Sequence, residues 1–254
     1  MFVNTVGVQL NNATLRYRDS EHATLSGLSL NLSAGKWTVL LGRSGCGKTT
    51  VLRYLAGLLD DKVEWQGTLA TSDELPLTDR IAYMAQQDLL LPWLSVIDNV
   101  CLSHRFQYTT NKHLNKEQKN QAFELLASVG LADYADTMPD QLSGGMRQRV
   151  ALARTLMQDK PVVLMDEPFS ALDAVTRHKL QSLACELLRD KTVVLITHDP
   201  QEAVRLADNL YVLQGSPASA HSLPVPHSAT PRLLDGECAE LQQAILEQLE
   251  RDYD

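Results

Sequence analysis

The chain has 254 residues, of which 44% are hydrophobic and 21% charged, with a formal net charge of −8. That length builds one domain or two small ones around a sizeable core, and that composition excludes a disordered chain. The acidic balance argues against a general nucleic-acid binder, because phosphate neutralisation needs clustered Lys and Arg. The charge is unevenly placed. Residues 233–254 hold seven acids (Asp235, Glu237, Glu240, Glu247, Glu250, Asp252, Asp254) and one base, Arg251, so they carry −6 and residues 1–232 carry −2. No apolar run approaches the about 18–20 residues that span a bilayer. The first ten residues carry no base and no signal-peptide architecture. Cys46, Cys101, Cys185 and Cys238 are far apart and form no CxxC pair, which argues against a disulfide framework or a zinc site and implies reduced thiols in a cytosolic protein.

Residues 3–40 alternate apolar and polar side chains, as at Val6, Val8 and Leu10 and at Leu28, Leu30 and Leu32. These are antiparallel strand signals, and residues 63–70 repeat them. Between them, residues 37–42 (WTVLLG) read as a buried strand running into a glycine-rich turn. A helix over about 48–58 follows, closing at Asp60 and Asp61. Residues 88–160 are mostly helical, with apolar spacing at Ala122, Leu125, Leu126 and Val129. Two short apolar runs, 162–165 and 192–196, flank a helical pattern over 174–188. Strand–helix–strand of this kind marks a parallel α/β sheet. Four prolines fall within residues 217–231, which therefore read as an extended surface connection to a last helix over about 236–249. Leu241, Ile245 and Leu249 give that acidic helix an apolar stripe for docking.

The strongest local signal is Gly42-Arg43-Ser44-Gly45-Cys46-Gly47-Lys48-Thr49, which fits G-x-x-x-x-G-K-[ST] without a mismatch. Glycines let backbone N–H groups converge on phosphate oxygens, and the helix that starts here adds its positive dipole end. Lys48 is expected to reach the β- and γ-phosphates, the Thr49 hydroxyl to ligate Mg²⁺, and Thr50 to add a contact to the α-phosphate. Asp166 and Glu167 end the run 162–165. Alone they would read as solvated turn residues. Beside a phosphate loop, Asp166 suits the metal shell, and Glu167 suits the general base that polarises the attacking water. His198 follows the strand 192–196, and ligands of parallel sheets collect at the carboxyl ends of strands.

Leu142-Ser143-Gly144-Gly145-Met146-Arg147-Gln148-Arg149 resembles the LSGGQ-type signature of ABC ATPases, with Met146 in place of the usual glutamine. It lies between the phosphate loop and the acidic strand, as in that family. The resemblance extends over about residues 5–213. Tyr17 resembles the aromatic that stacks on adenine, although plain strand packing stays open for it. Gln86, six residues before Pro92, resembles the Q-loop glutamine, which also contacts the metal and couples the site to a permease. Gln87 is as good by chemistry, and only the spacing favours Gln86. Asp173 resembles the D-loop aspartate and His198 the switch histidine. Ser143, Gly144 and Gly145 open a helix and so form a second anion-binding end.

The resemblance implies an α/β fold. Its parts are a P-loop core with a mostly parallel sheet, an N-terminal antiparallel β part, and a helical subdomain at about 88–155 within a nucleotide-binding domain over 1–232. The acidic helix of 233–254 is expected to pack on the same domain. It implies Mg²⁺-dependent ATP hydrolysis in a head-to-tail homodimer, with Ser143, Gly144 and Gly145 of one subunit covering the ATP of the other.

Fifty-six residues after His198 are too few for an added regulatory β-domain, and one motif set excludes a tandem chain. A free-standing nucleotide-binding subunit is expected, cytoplasmic and held on the inner face of the membrane by separate permease subunits. Three strings, around Leu89 to Val100, Leu142 to Arg154 and Asp166 to Arg177, are similar to the nitrate/sulfonate/taurine importer subfamily, which includes importers of pyrimidine thiamine precursors. The Pro-rich Leu223-Pro224-Val225-Pro226 is similar to a short stretch near the end of those subunits. Ser170, where glycine is common, and residues 214–222 depart from the pattern. A solute-binding protein is implied only indirectly, and a nucleic-acid partner is not. The alternatives are an ABC ATPase that energises a cell-division or repair assembly, and a non-hydrolysing regulatory module, which the intact Glu167 and His198 argue against.

Overall fold

The structure, a computed structural model, describes residues 5–107 and 115–252. In chain order the elements begin with β1 (Val8–Tyr17), β2 (Leu25–Leu32), β3 (Trp37–Gly42), α1 (Lys48–Leu55), β4 (Val63–Thr71) and β5 (Ile81–Met84). Then come α2 (Val96–Val100), α3 (Leu102–Gln107), α4 (Lys116–Ser128), α5 (Gly144–Leu156), β6 (Val162–Asp166) and α6 (Ala174–Leu187). The series closes with β7 (Thr192–Ile196), α7 (Pro200–Leu206), β8 (Asn209–Gln214), β9 (Ser219–Leu223) and α8 (Gly236–Glu250).

The chain divides into two units. The first comprises residues 1–81, 161–167 and 188–254, and the second 82–160 and 168–187. In the first unit, β2, β1 and β4 form an antiparallel sheet in the order β2-β1-β4. Its alternation is the one the sequence implies: Val8, Leu10, Leu28, Leu30 and Leu32 all face the core. A second sheet carries β6-β7-β3-β8-β9 in this order. Pairs β6/β7, β7/β3 and β3/β8 are parallel, and β9 joins β8 antiparallel. Strands β3, β6 and β7 are buried along their whole length, as continuous apolar runs in a parallel sheet must be.

Two expectations change in detail. α1 stops at Leu55, three residues early, because Gly57 takes a left-handed φ of +69°. The Leu58 N–H then donates to the Arg53 carbonyl and the Gly57 N–H to that of Tyr54, a glycine-terminated helix end. Within the Pro-rich stretch, residues 219–223 form β9 rather than a bare connection. Pro217 and Pro224 bracket it, and an edge strand needs ladder hydrogen bonds on one side only. Arg232 is buried and donates to the carbonyls of Val204 and Pro226 at 3.1 and 2.7 Å, which ties the connection to the end of α7. α8 follows, capped by the Asp235 side chain on the Cys238 N–H, with Leu241 and Ile245 buried.

Among its described residues, the regular elements of the second unit are helical apart from Ala82, Tyr83 and Met84 of β5. α4 opens with a reciprocal cap between Asn115 and Gln118. The loop before α2 is built around Asn99, which has no solvent exposure. Its Oδ1 accepts the Leu91 N–H at 2.8 Å, and its Nδ2 lies 3.0–3.1 Å from the carbonyls of Leu91, Leu94 and Ser95. This staple holds Leu90 inside and leaves Leu89 and Trp93 exposed, Trp93 to 69%. Removing the amide strands buried backbone groups of the loop. Asn99→Ala is therefore expected to lower the unfolding free energy by about 2 kcal/mol, read as a shift in the urea midpoint, and to quicken proteolysis within residues 89–95.

Candidate functional site

The register of the parallel strands decides where the candidate residues of the first unit emerge. Asp166 pairs with Ile196, and Ile196 pairs with Leu40, so β6, β7 and β3 run level to their carboxyl ends. Just past that line come Gly42 and Arg43 from β3, Glu167 from β6 and His198 from β7. The sequence places these groups tens of residues apart, and the sheet delivers them to one edge.

The phosphate loop leaves β3 through Gly42. A Cβ there would lie 2.5 Å from the Leu213 carbonyl and 2.8 Å from Cys46 Sγ, so only glycine fits. At the loop's crest the site of a Cβ on Gly45 meets nothing within 4 Å. Arg43, Ser44 and Gly45 are exposed, and Gly47, with φ of +108°, is the N-cap of α1. The crest is thus an exposed, glycine-bearing turn at a helix N-terminus, the arrangement that receives a phosphate chain. Lys48 folds back into the loop, and its Nζ donates to the carbonyls of Gly42 and Arg43, both at 2.7 Å. The Tyr17 and Thr50 hydroxyls lie 3.2 Å apart, which places Tyr17 beside the first turn of α1.

The Thr49 hydroxyl donates to Asp166 Oδ2 at 2.7 Å. A hydroxyl and a carboxylate at that spacing form a hard-oxygen pair of the kind Mg²⁺ takes, with phosphates and water completing its shell. Burial pushes the Asp166 carboxyl above its usual range. The Thr49 hydrogen bond and the Lys48 and Arg53 charges oppose that rise, and the Glu167 charge adds to it. Glu167 turns away from β6 with a left-handed φ of +51°, and its N–H donates to the Ile196 carbonyl at 3.0 Å. For a non-glycine residue such a backbone costs about 1–3 kcal/mol and persists only where its surroundings hold it. The turn sends the Glu167 carboxylate to His198, with Oε2 3.2 Å from Nδ1. Asp199 then caps α7 through the N–H groups of Gln201 and Glu202, followed by Pro200 at the first helical position. The Asp-Pro pair after His198 is a helix-start signal that the sequence reading passed over.

The other candidates lie in the second unit. Ser143 is the N-cap of α5, its Oγ accepting the Met146 N–H at 3.3 Å, and Gly144 and Gly145 open the helix as the sequence implies. Gln148 is buried and its Oε1 accepts the Ala171 N–H at 2.9 Å. Asp173 caps the start of α6 through the N–H groups of Val175 and Thr176, and a hydrogen bond from the Thr176 side chain, then these backbone bonds, hold its carboxyl below the usual range. Gln86 and Gln87 are both exposed, so burial does not choose between them. Among the described residues, no helix is long and apolar enough to cross a membrane.

The sequence profile of the ABC transporter family matches residues 25–170. The chain belongs to that family and is an ATP-binding ATPase of it. It is 44% identical over 226 residues to an uncharacterized ABC transporter ATP-binding protein of Haemophilus influenzae, covering 87% of this chain and 90% of the relative. It is 41% identical over 232 residues to the aliphatic sulfonates import ATP-binding protein SsuB 1 of Paracoccus denitrificans, covering 90% and 88%. Among solved structures, the dimeric ATP-binding cassette MJ0796 in a post-hydrolysis state with ADP and Pi superposes with a TM-score of 0.72. That match has 32% identity over 89% of this chain and all of that one.

Folding raises the Asp166 carboxyl above its ordinary value of 3.8, so the ionised form is the one the folded state disfavours. Stability is therefore lost as pH rises from that value through the folded one. The nucleotide-free Asp166→Asn variant is expected to melt above the wild type at neutral pH. The gap should narrow toward pH 3.8 in a series of thermal scans.

Proposed function

We propose that the chain hydrolyses ATP to power import of a small solute through separate membrane subunits, with aliphatic sulfonates as the favoured solute class. The observation that carries the ATPase part is the pair of contacts beyond the strand ends, Thr49 to Asp166 at 2.7 Å and His198 to Glu167 at 3.2 Å, beside the open phosphate loop. The import reading and the sulfonate class rest on the names of the relatives. Residues 1–232 act as the nucleotide-binding domain on this reading. The subunit sits on the inner face of the membrane by binding its permease.

In the mechanism, the backbone N–H groups of the loop and the Lys48 ammonium hold the β- and γ-phosphates. Lys48 exchanges its two loop carbonyls for phosphate oxygens. Arg43, Ser44, Gly45, Cys46, Gly47 and Thr50 shape the cradle, and Tyr17 stacks on the base. Thr49 and Asp166 would hold Mg²⁺, which would neutralise phosphate charge once bound. Glu167 accepts a proton from the attacking water as its oxygen bonds to the γ-phosphorus. The bond from that phosphorus to the β–γ bridging oxygen breaks, and ADP leaves with the electron pair. His198 orients the Glu167 carboxylate and contacts the γ-phosphate. In a homodimer, Ser143, Gly144 and Gly145 of each subunit close over the partner's nucleotide, with Asp173 alongside. The dimeric cassette to which this chain is similar supports that arrangement.

Glu167→Gln keeps the side chain's shape and removes its basicity. It is expected to bind ATP as the wild type does while phosphate release falls about a hundredfold or more. Release at the wild-type rate would remove Glu167 from the reaction. The exposed Leu89 and Trp93 form the surface that receives the permease. Trp93→Ala is expected to keep ATP binding and lose co-purification with the permease subunit. Undiminished co-purification would assign the coupling surface elsewhere.

A further inference from the structure

One contact reaches the phosphate loop from more than two hundred residues away. α8 ends at Glu250, and Asp252 lies just beyond it. Asp252 Oδ1 accepts the Gly215 N–H at 2.7 Å, and Oδ2 faces Arg43 Nε at 4.0 Å. The Asp252 backbone carbonyl accepts a hydrogen bond from Arg43 Nη1. One helical turn earlier, Gln248 Nε2 donates to Gln214 Oε1 at 2.6 Å, and Gln214 Nε2 donates back to the Gln248 carbonyl. Leu241 and Ile245 anchor α8 in the core, and the Asp252 side chain is largely covered. All of these residues belong to the first unit.

The placement gives the contact its meaning. Arg43 is the first residue after β3, and Gly215 is the first after β8. These strands are paired, with Gly42 opposite Leu213. Asp252 therefore bridges the two chain segments that leave the sheet at the foot of the phosphate loop. The Arg43 carbonyl also accepts a hydrogen bond from Lys48 Nζ. The residue whose backbone holds the phosphate-binding lysine is thus the one whose side chain α8 holds.

We propose that Asp252 is a positioning residue for the phosphate loop, tying Arg43 to the turn after β8 so that the loop is preset for nucleotide. The proposal rests on reading this loop as the ATP site. Asp252 touches no nucleotide and acts through Arg43 and Gly215. The hydrogen bond from the charged Arg43 guanidinium to the Asp252 carbonyl is stronger than one between neutral groups, and the largely covered carboxylate adds its charge beside it. A loop ordered beforehand loses less entropy when its ligand arrives. Cutting the tie therefore weakens ATP binding while α8 stays docked by Leu241 and Ile245.

The test is a titration of the full chain with a fluorescent ATP analogue, alongside unfolding midpoints without nucleotide. Wild-type binding that Lys48→Ala abolishes establishes the loop as the ATP site. Its failure overturns the proposed function rather than the role of Asp252. Given that binding, Asp252→Ala is expected to raise Kd about three- to tenfold. Asp252→Asn retains an acceptor for the Gly215 N–H and loses the charge facing Arg43, so its Kd should fall between the two. The double variant Arg43→Ala/Asp252→Ala should bind about as weakly as Arg43→Ala alone, because that substitution already removes both Arg43 contacts to Asp252. An unchanged Kd in Asp252→Ala, with or without a lower unfolding midpoint, overturns the proposal. So does full additivity of the two substitutions in Kd.

Discussion

Parallel pairing obliges neighbouring strands to finish on the same side of a sheet, and the residues after each strand then meet there. In this chain the level register of β6, β7 and β3 is that constraint. A slip of one residue in β6 would move Asp166 off the Thr49 hydroxyl and turn its carboxylate to the opposite face. The same slip would carry Glu167 away from His198. The apolar burial that fixes the register therefore also fixes the geometry of the candidate site, although none of the buried Val, Leu and Ile residues takes part in chemistry.

The strand ends concentrate groups that a stable fold alone would not choose. Asp166 is a carboxylate withdrawn from water, and burial raises its pKa. Glu167 holds a left-handed backbone that non-glycine residues avoid. Lys48 is buried and satisfied by two carbonyls of its own loop. The first two features cost stability, and all three keep a charged group beside the strand ends. Strain and desolvation of this kind collect where a site must be ready before its ligand arrives.

The second unit uses short polar side chains at helix starts to similar effect. Ser143, Asp173 and Asn115 each satisfy N–H groups that a helix leaves bare, and Asn99 does the same for an irregular loop. The loop that Asn99 staples is the one that presents Trp93 to solvent. An exposed indole on a loop held by a fully buried amide is a surface kept rigid, which suits docking better than a mobile one.

Much of this protein was legible before any coordinate. The phosphate loop and the helix start at Ser143 were legible in residue type and spacing, because local backbone geometry alone makes a glycine turn or a helix start, whereas the roles expected of the acids at 166 and 167 and of His198 came from the loop beside them and from the family resemblance. The alternation of β1 and β2 and the apolar runs of β3, β6 and β7 were equally readable, since burial on one face or two leaves its own period. The edge strand β9 was not, because prolines masked a segment that needs only half its hydrogen bonds. The early stop of α1 turned on the left-handed glycine at 57. Asp252 beside Arg43 has no local pattern to announce it, and the convergence of Glu167 and His198, expected from their places after parallel strands, took the sheet to bring them within 3.2 Å. They depend on strand order, register and the docking of α8, which are set by packing across the whole unit. The residues alone named the candidates, and the tertiary structure decided which of them meet.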